Sequence, residues 1–145
     1  MPDVQTAASP YLKPLPDVSS LNRPFWESLK RHEFRVPKCA DCGDYNWVPY
    51  PACRSCQSEH QEWTVVSGDA TVFSFTVVHR GPGAFNADVP YVMALGQLVE
   101  QPRRCNVLAN LVRVDPDDVR IGLPIKIGYL EIPGEDVTMY RWLPR

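Results

Sequence analysis

No apolar run in this chain approaches the roughly 18 to 20 residues that a spanning helix needs, so no transmembrane helix is expected. The opening MPDVQTAASPYLKPLPDVSS has no positively charged start followed by an apolar stretch; no secretory signal is read there, and a cytoplasmic location is expected. A glycine-rich phosphate loop is also missing, because GPGAFNADVP lacks the strand-then-helix context such a loop requires. A basic surplus is absent too. The formal net charge of −2 removes the electrostatic basis for generic adhesion to nucleic acid.

The usual catalytic groupings are hard to find as well. Four of the five cysteines fall into two pairs, leaving Cys105 in the apolar run RCNVLANLV, where a cysteine serves best as a small buried hydrophobe. A hydrolase built on Cys105 would need a base beside it, and none is near in sequence. His32, His60 and His79 are scattered without the spacing of a metal or acid–base pair. His60 reads as an exposed loop residue.

What is present divides into four segments. Residues 1–19, with Pro2, Pro10, Pro14 and Pro16, read as an extended arm outside any folded layer. Residues 20–35 carry NRPFWESLKRHE, an amphipathic helix with Asn22 as its cap, Pro24 in its first turn, and Leu21, Phe25 and Leu29 at four-residue spacing. Such a helix packs on its own chain, or, standing between an arm and a small metal module, uses Phe25 and Trp26 to dock a partner. Arg23, Lys30, Arg31, Arg35 and Lys38 outnumber Glu27 and Glu33 along this stretch. They make either a solvated face or a local field suited to a phosphate-bearing ligand or an acidic partner.

Residues 36–66 hold KCADCGDYNWVPYPACRSCQ, in which Cys39 and Cys42, then Cys53 and Cys56, are each two residues apart. That spacing lets both thiolates of a tight turn face one ion, and a second such knuckle completes a tetrahedron. Four soft ligands select zinc, with mononuclear iron the alternative on ligands alone. In a reducing compartment the pairs are metal ligands in preference to disulfides. A four-thiolate site is closed, which makes the zinc structural and not catalytic. Gly43, directly after the first pair, suits a turn that requires positive φ.

Residues 67–145 read as β structure. ATVFSFTVVHR, YVMALGQLV, RCNVLANLV, PIKIGYLEI and VTMYRWL are five strand-like runs, several with alternating faces. DPDDVRIG between the third and fourth predicts a single helical turn with Asp115 as cap. The fold class expected is mainly β: an N-terminal helix, a zinc ribbon, then a five-stranded OB-fold barrel. An SH3-like barrel satisfies the same pattern. The loop HRGPGAFNADVPY is the expected place for ligand or partner contacts, with Arg80, Phe85 and Tyr91 as its candidates.

In combination, NRPFWESL, CADCG, CRSC, a tryptophan before SGDATVFSFTVVHR, PYVMALGQL and IGLPIKI resemble a prokaryotic family that joins an N-terminal helix and a rubredoxin-like zinc ribbon to an OB-fold. That family was formerly classed only as a domain of unknown function. The resemblance spans about residues 20–143. It implies a partner subunit of thiolase-superfamily thiolases or aldolases acting on acyl-CoA, in which the partner supplies the catalytic residues and this chain supports assembly and the acyl-CoA site. Steroid side-chain and aromatic degradation are the settings it implies. Two features depart from the family pattern: Tyr50 stands where an arginine is common, and LVEQPRRCN replaces an acidic, glycine-containing turn. Arg104 in that turn, like Arg80, is a candidate acyl-CoA or partner contact. The competing reading from another class is a nucleic-acid-binding zinc-ribbon/OB module, and the acids Asp115, Asp117, Asp118, Glu131, Glu135 and Asp136 weigh against it.

Overall fold

The computed structural model describes residues 1–101 and 105–145. Among the described residues, eight strands and one helix follow in the order β1 (Asp3–Thr6), α1 (Arg23–Lys30), β2 (Phe34–Cys39), β3 (Gln61–Val66), β4 (Asp69–Val78), β5 (Tyr91–Leu98), β6 (Asn106–Leu111), β7 (Pro124–Glu131) and β8 (Thr138–Pro144). Two short 3-10 turns, Gly83–Asp88 and Pro116–Asp118, lie in the connections. Among the described residues no helix is long and apolar enough to cross a membrane.

Strands β4 to β8 close on themselves. β4 pairs antiparallel with β5, β5 with β6 and β7 with β8; β6 meets β8 in parallel at Leu111 and Trp142, and β7 returns to β4. The result is a closed five-stranded barrel, the OB-fold architecture. Alternation places Val92, Ala94 and Leu98 of β5 and Val107, Ala109 and Leu111 of β6 in one core with Ile125 and Trp142. Gly96 lets the indole of Trp142 cross β5, since a Cβ there would lie 2.2 Å from Cζ2. The alternation of β4 is broken by a bulge between Val72 and Ser74. Val72 is buried, Phe73 at the bulge is half exposed, and Phe75 and Val77 pack against the core. Asp115 caps the predicted turn, its carboxylate accepting from the Asp117 amide at 2.9 Å.

The arm departs from expectation. Asp3–Thr6 is not outside the folded layers but runs parallel to β7, with Asp3 opposite Gly128 and Thr6 opposite Glu131. Four residues suffice because β7 gives up β4 after Lys126, leaving its edge open to a new neighbour.

Helix α1 also finds more core than its neighbours in sequence supply. Phe25 and Leu29 are fully buried, and the Phe25 ring meets Trp47 at 4.8 Å, Trp26 at 5.1 Å, Tyr140 at 5.4 Å and Phe34 at 5.6 Å in edge-on contacts. Phe25 is therefore no docking residue: a ring inside this cluster cannot also meet a partner. Trp26 is only partly buried at the margin of the same cluster. Asn22 does not cap the helix amides; its side chain accepts from the Ser19 amide at 2.8 Å and donates to the Asp17 carbonyl at 3.1 Å, pinning the incoming chain.

A four-thiolate metal centre in the ribbon

β2 and β3 form the two-stranded antiparallel sheet of the ribbon, with Cys39 opposite Gln61 and Phe34 opposite Val66. Cys39 ends β2, so the first knuckle is anchored to a strand whose Phe34 and Val36 sit in the main core. Each knuckle closes with the same pair of devices. The Gly43 amide donates to the Cys39 carbonyl and the Gln57 amide to the Cys53 carbonyl, both at 2.9 Å. Gly43 and Gln57, each directly after the second cysteine of its pair, have φ of 80° and 64°. The sequence signals the first through glycine; nothing in it marks Gln57.

The four sulfurs lie within 4.8 Å of one another. Cys39 Sγ is 3.6 Å from Cys56 Sγ, and Cys42 Sγ is 3.6 Å from Cys53 Sγ. A tetrahedral zinc with sulfurs about 2.3 Å away has edges of about 3.8 Å, a size that the two 3.6 Å separations match and that the whole donor set can close around. Cys39 and Cys53 are buried, whereas Cys42 and Cys56 face outward. Backbone amides already favour thiolate at the buried pair. The Cys42 amide, ahead of the Asp41 amide, draws the Cys39 thiol down. Burial opposes ionisation at Cys53, yet the amides of Cys56 and Ser55 and the Asn46 side chain bring it to about 6. At Cys42 the Asp44 amide favours ionisation, but burial and the three neighbouring sulfurs outweigh it and push this thiol up to about 12. Four thiolates so close together require a cation to coexist, and a divalent one supplies it.

The surround holds the knuckles to each other and to the barrel. Ser55 Oγ, within the second knuckle, donates to Asp44, and Ser58 Oγ, just after it, donates to Asp41, so the second knuckle is bound to the first at two points. His60 Nδ1 lies 3.0 Å from Asp41 Oδ2 and is exposed, as read from sequence, taking no place among the sulfurs. The Tyr45 amide donates to Gln101 Oε1 at 2.5 Å, a direct tie from ribbon to the barrel's β5 end. With every ligand position filled by sulfur, the centre supplies rigidity and no open position for substrate.

The remaining candidates lie elsewhere. Phe85, in the first 3-10 turn, packs on Tyr91 at the start of β5 with centroids 6.3 Å apart, and Lys13 of the arm lies over Phe85 at 5.8 Å. Arg80 is exposed beyond the end of β4. Arg104 lies outside the described residues. Cys105 is fully buried, and desolvation, with the Glu100 charge second, pushes its thiol up to about 12, the opposite of an activated nucleophile.

Comparison with known proteins agrees with this anatomy. Residues 26–61 match the family described as ChsH2, rubredoxin-like zinc ribbon domain, and residues 63–129 match ChsH2, C-terminal OB-fold domain. The 3-oxo-4,17-pregnadiene-20-carboxyl-CoA hydratase alpha subunit of Mycobacterium tuberculosis is 39% identical over 120 residues, which cover 83% of this chain and 36% of that protein. This chain thus spans about a third of that relative's length. A DUF35 domain-containing scaffold protein of Pyrococcus furiosus is 35% identical over 105 residues, covering 71% of this chain and 74% of its own. Among solved structures, a chain of the Ltp2-ChsH2(DUF35) aldolase superposes with a TM-score of 0.78 at 28% identity, over 90% of this chain and 98% of that one. Ribbon and barrel are matched in the same order in which the chain builds them, and the chain belongs to the DUF35 family, with the ChsH2-type zinc ribbon and OB-fold.

Proposed function

We propose that this chain is a non-catalytic, zinc-stapled subunit that assembles with a thiolase-like aldolase or thiolase acting on an acyl-CoA, and that it supports the partner's assembly and acyl-CoA site in the cytoplasm. The observation that carries the reading is the similarity to the Ltp2-ChsH2(DUF35) aldolase chain, which runs through helix, ribbon and barrel together. The relatives, a CoA-thioester hydratase alpha subunit and a scaffold protein, support it from sequence. The chemistry of the metal centre supports it too: a closed sulfur set holds a shape and leaves reaction to another chain. Trp26, at the rim of the aromatic cluster, is the part of the helix left to meet a partner. Arg80, Phe85 and Tyr91 are the proposed acyl-CoA or partner contacts.

The test is co-expression with a thiolase-like aldolase or thiolase subunit from the same organism, followed by size-exclusion chromatography with light scattering and assay of acyl-CoA turnover. Co-elution, with turnover only in the complex, is expected. A fully active thiolase free of this chain, beside an inert monomer, would overturn the proposal. Trp26→Ala is expected to abolish co-elution while lowering the melting temperature less than Phe25→Ala does, since the indole is only partly buried. Phe25→Ala, by contrast, empties a core position and costs about 3–5 kcal/mol of stability.

A further inference from the structure

After β1 the arm crosses the barrel, and residues 5–13, the first 3-10 turn and parts of β5, β6, β7 and β8 enclose a cleft of about 700 Å³. That is the size range of sites for small organic ligands. Leu12, Leu111, Val114 and Leu130 give it apolar walls, with the rings of Tyr11 and Tyr91 among them.

The charges in this cleft do not cancel. Lys13 is neutralised by Asp88 at 2.6 Å, and Arg113 by Asp3 at 2.7 Å. Arg141 of β8 lines the same cleft and has no ion pair among the described residues. Its Nε is fully covered and makes no hydrogen bond. Burial, and then the like charge of Arg113, lower its pKa, with Asp3 and Tyr11 only partly offsetting them. With Nε covered, the donors left for an entering acceptor are those of Nη1 and Nη2, and a half-buried guanidinium without an acceptor lowers stability.

We propose that this cleft binds a small organic carboxylate, its head group held by Arg141 and its apolar body against Tyr11, Leu12 and Leu130. One uncompensated positive charge matches a monoanion, and the guanidinium fork matches the two oxygens of a carboxylate. The walls offer far more apolar surface than an inorganic anion uses. The cleft shares Tyr91 with the contacts proposed above, but the arm and Arg141 lie outside both matched domains, and the binding test below needs no partner subunit.

The experiment titrates sodium octanoate into the zinc-loaded 145-residue chain, following the Arg141 Nε–H resonance by nitrogen-15 NMR and the heat by calorimetry, with inorganic phosphate in a parallel arm. A saturable shift of that resonance with octanoate is expected, and Arg141→Met should weaken octanoate binding tenfold or more. Without ligand, Arg141→Met should melt at or above the wild-type temperature, because the unpaired charge is gone. Leu12→Asp, at an exposed position of the wall, should also weaken octanoate without lowering the melting temperature. The proposal is overturned by an unmoved Nε–H signal, by octanoate binding unaffected in both variants, or by phosphate binding more tightly than octanoate.

Discussion

Replacing Gly96 by alanine tests how tightly the barrel is closed around Trp142. The added Cβ would sit 2.2 Å from Cζ2 and 2.4 Å from Cε2 of an indole that is completely buried. Ordinary carbon contacts are about 3.5–4.0 Å, so the ring must retreat by more than about 1 Å. That retreat is directed away from β5, and it pulls on the 3.1 Å hydrogen bond from Trp142 Nε1 to the Val107 carbonyl. Overpacking of this kind costs about 1–3 kcal/mol, and a buried donor left without its acceptor about 1–3 kcal/mol more. A total of about 2–6 kcal/mol corresponds to a fall in melting temperature on the order of 10 °C for a chain of this size. The assay is thermal unfolding followed by near-ultraviolet circular dichroism, which reports on the indole environment directly. Trp142→Phe provides the control, because a smaller ring without Nε1 yields to the methyl. The double variant should be more stable than the sum of the two single losses predicts, by about 1 kcal/mol or more. A Gly96→Ala protein as stable as wild type, or strictly additive losses in the double variant, would refute the packing argument.

Two further outcomes follow from the metal centre and the buried acids. Cys39→Ser removes the ligand that ends β2; zinc content should drop, the ribbon should lose its near-ultraviolet signal, and co-elution with a partner should fail before any chemical step changes, whereas normal assembly would show the ribbon dispensable. At high pH the sign is set by groups whose folded pKa values lie above their usual ones: Cys105 at about 12 against 9.0, and Tyr129 and Tyr140 at about 12 against 10.0, burial being the leading cause in each. The folded chain holds these protons longer than the unfolded one, so the stability they contribute is intact below about pH 9 and is lost as pH rises toward 12. Denaturant midpoints measured from pH 8 to pH 12 should fall over that window, and Cys105 should resist alkylation until the chain unfolds.

Much of this was legible in the sequence for local reasons. The two CxxC knuckles, Gly43 and the Asp115 turn depend on residues within a few positions of one another, and each stands as spacing and residue type imply. The five barrel strands were legible through period-two alternation and the Gly, Pro and Asp residues between them. What escaped depends on distant partners. Phe25 looked like a docking residue because its true neighbours, Trp47 and Tyr140, are supplied by the ribbon and by β8. The bulge at Phe73 left an apparently regular alternation intact on paper while turning that ring outward. DVQT carried no strand signal of its own, since its pairing depends on the open edge of β7. Arg141 sits in the run VTMYRWL, where one charge among apolar residues reads as an ordinary outward position until the arm is seen beside it.

The pairing of Asp3 with Gly128 has a consequence for the order in which the molecule is made. Asp3–Thr6 must wait for residues 128–131 to be made before they find their neighbours, because translation proceeds from the N-terminus and long closures cost chain entropy. The ribbon and its metal, complete by about residue 66, are available early; the arm can settle only on a finished β7. In the folded protein the same arrangement lets these four pairs peel away while the barrel stays shut, so Asp3–Thr6 amides should exchange with solvent long before those of β5 and β6. The segment assembled last is thus also the one that can be released first, without disturbing the sulfur centre at the other end of the construction sequence.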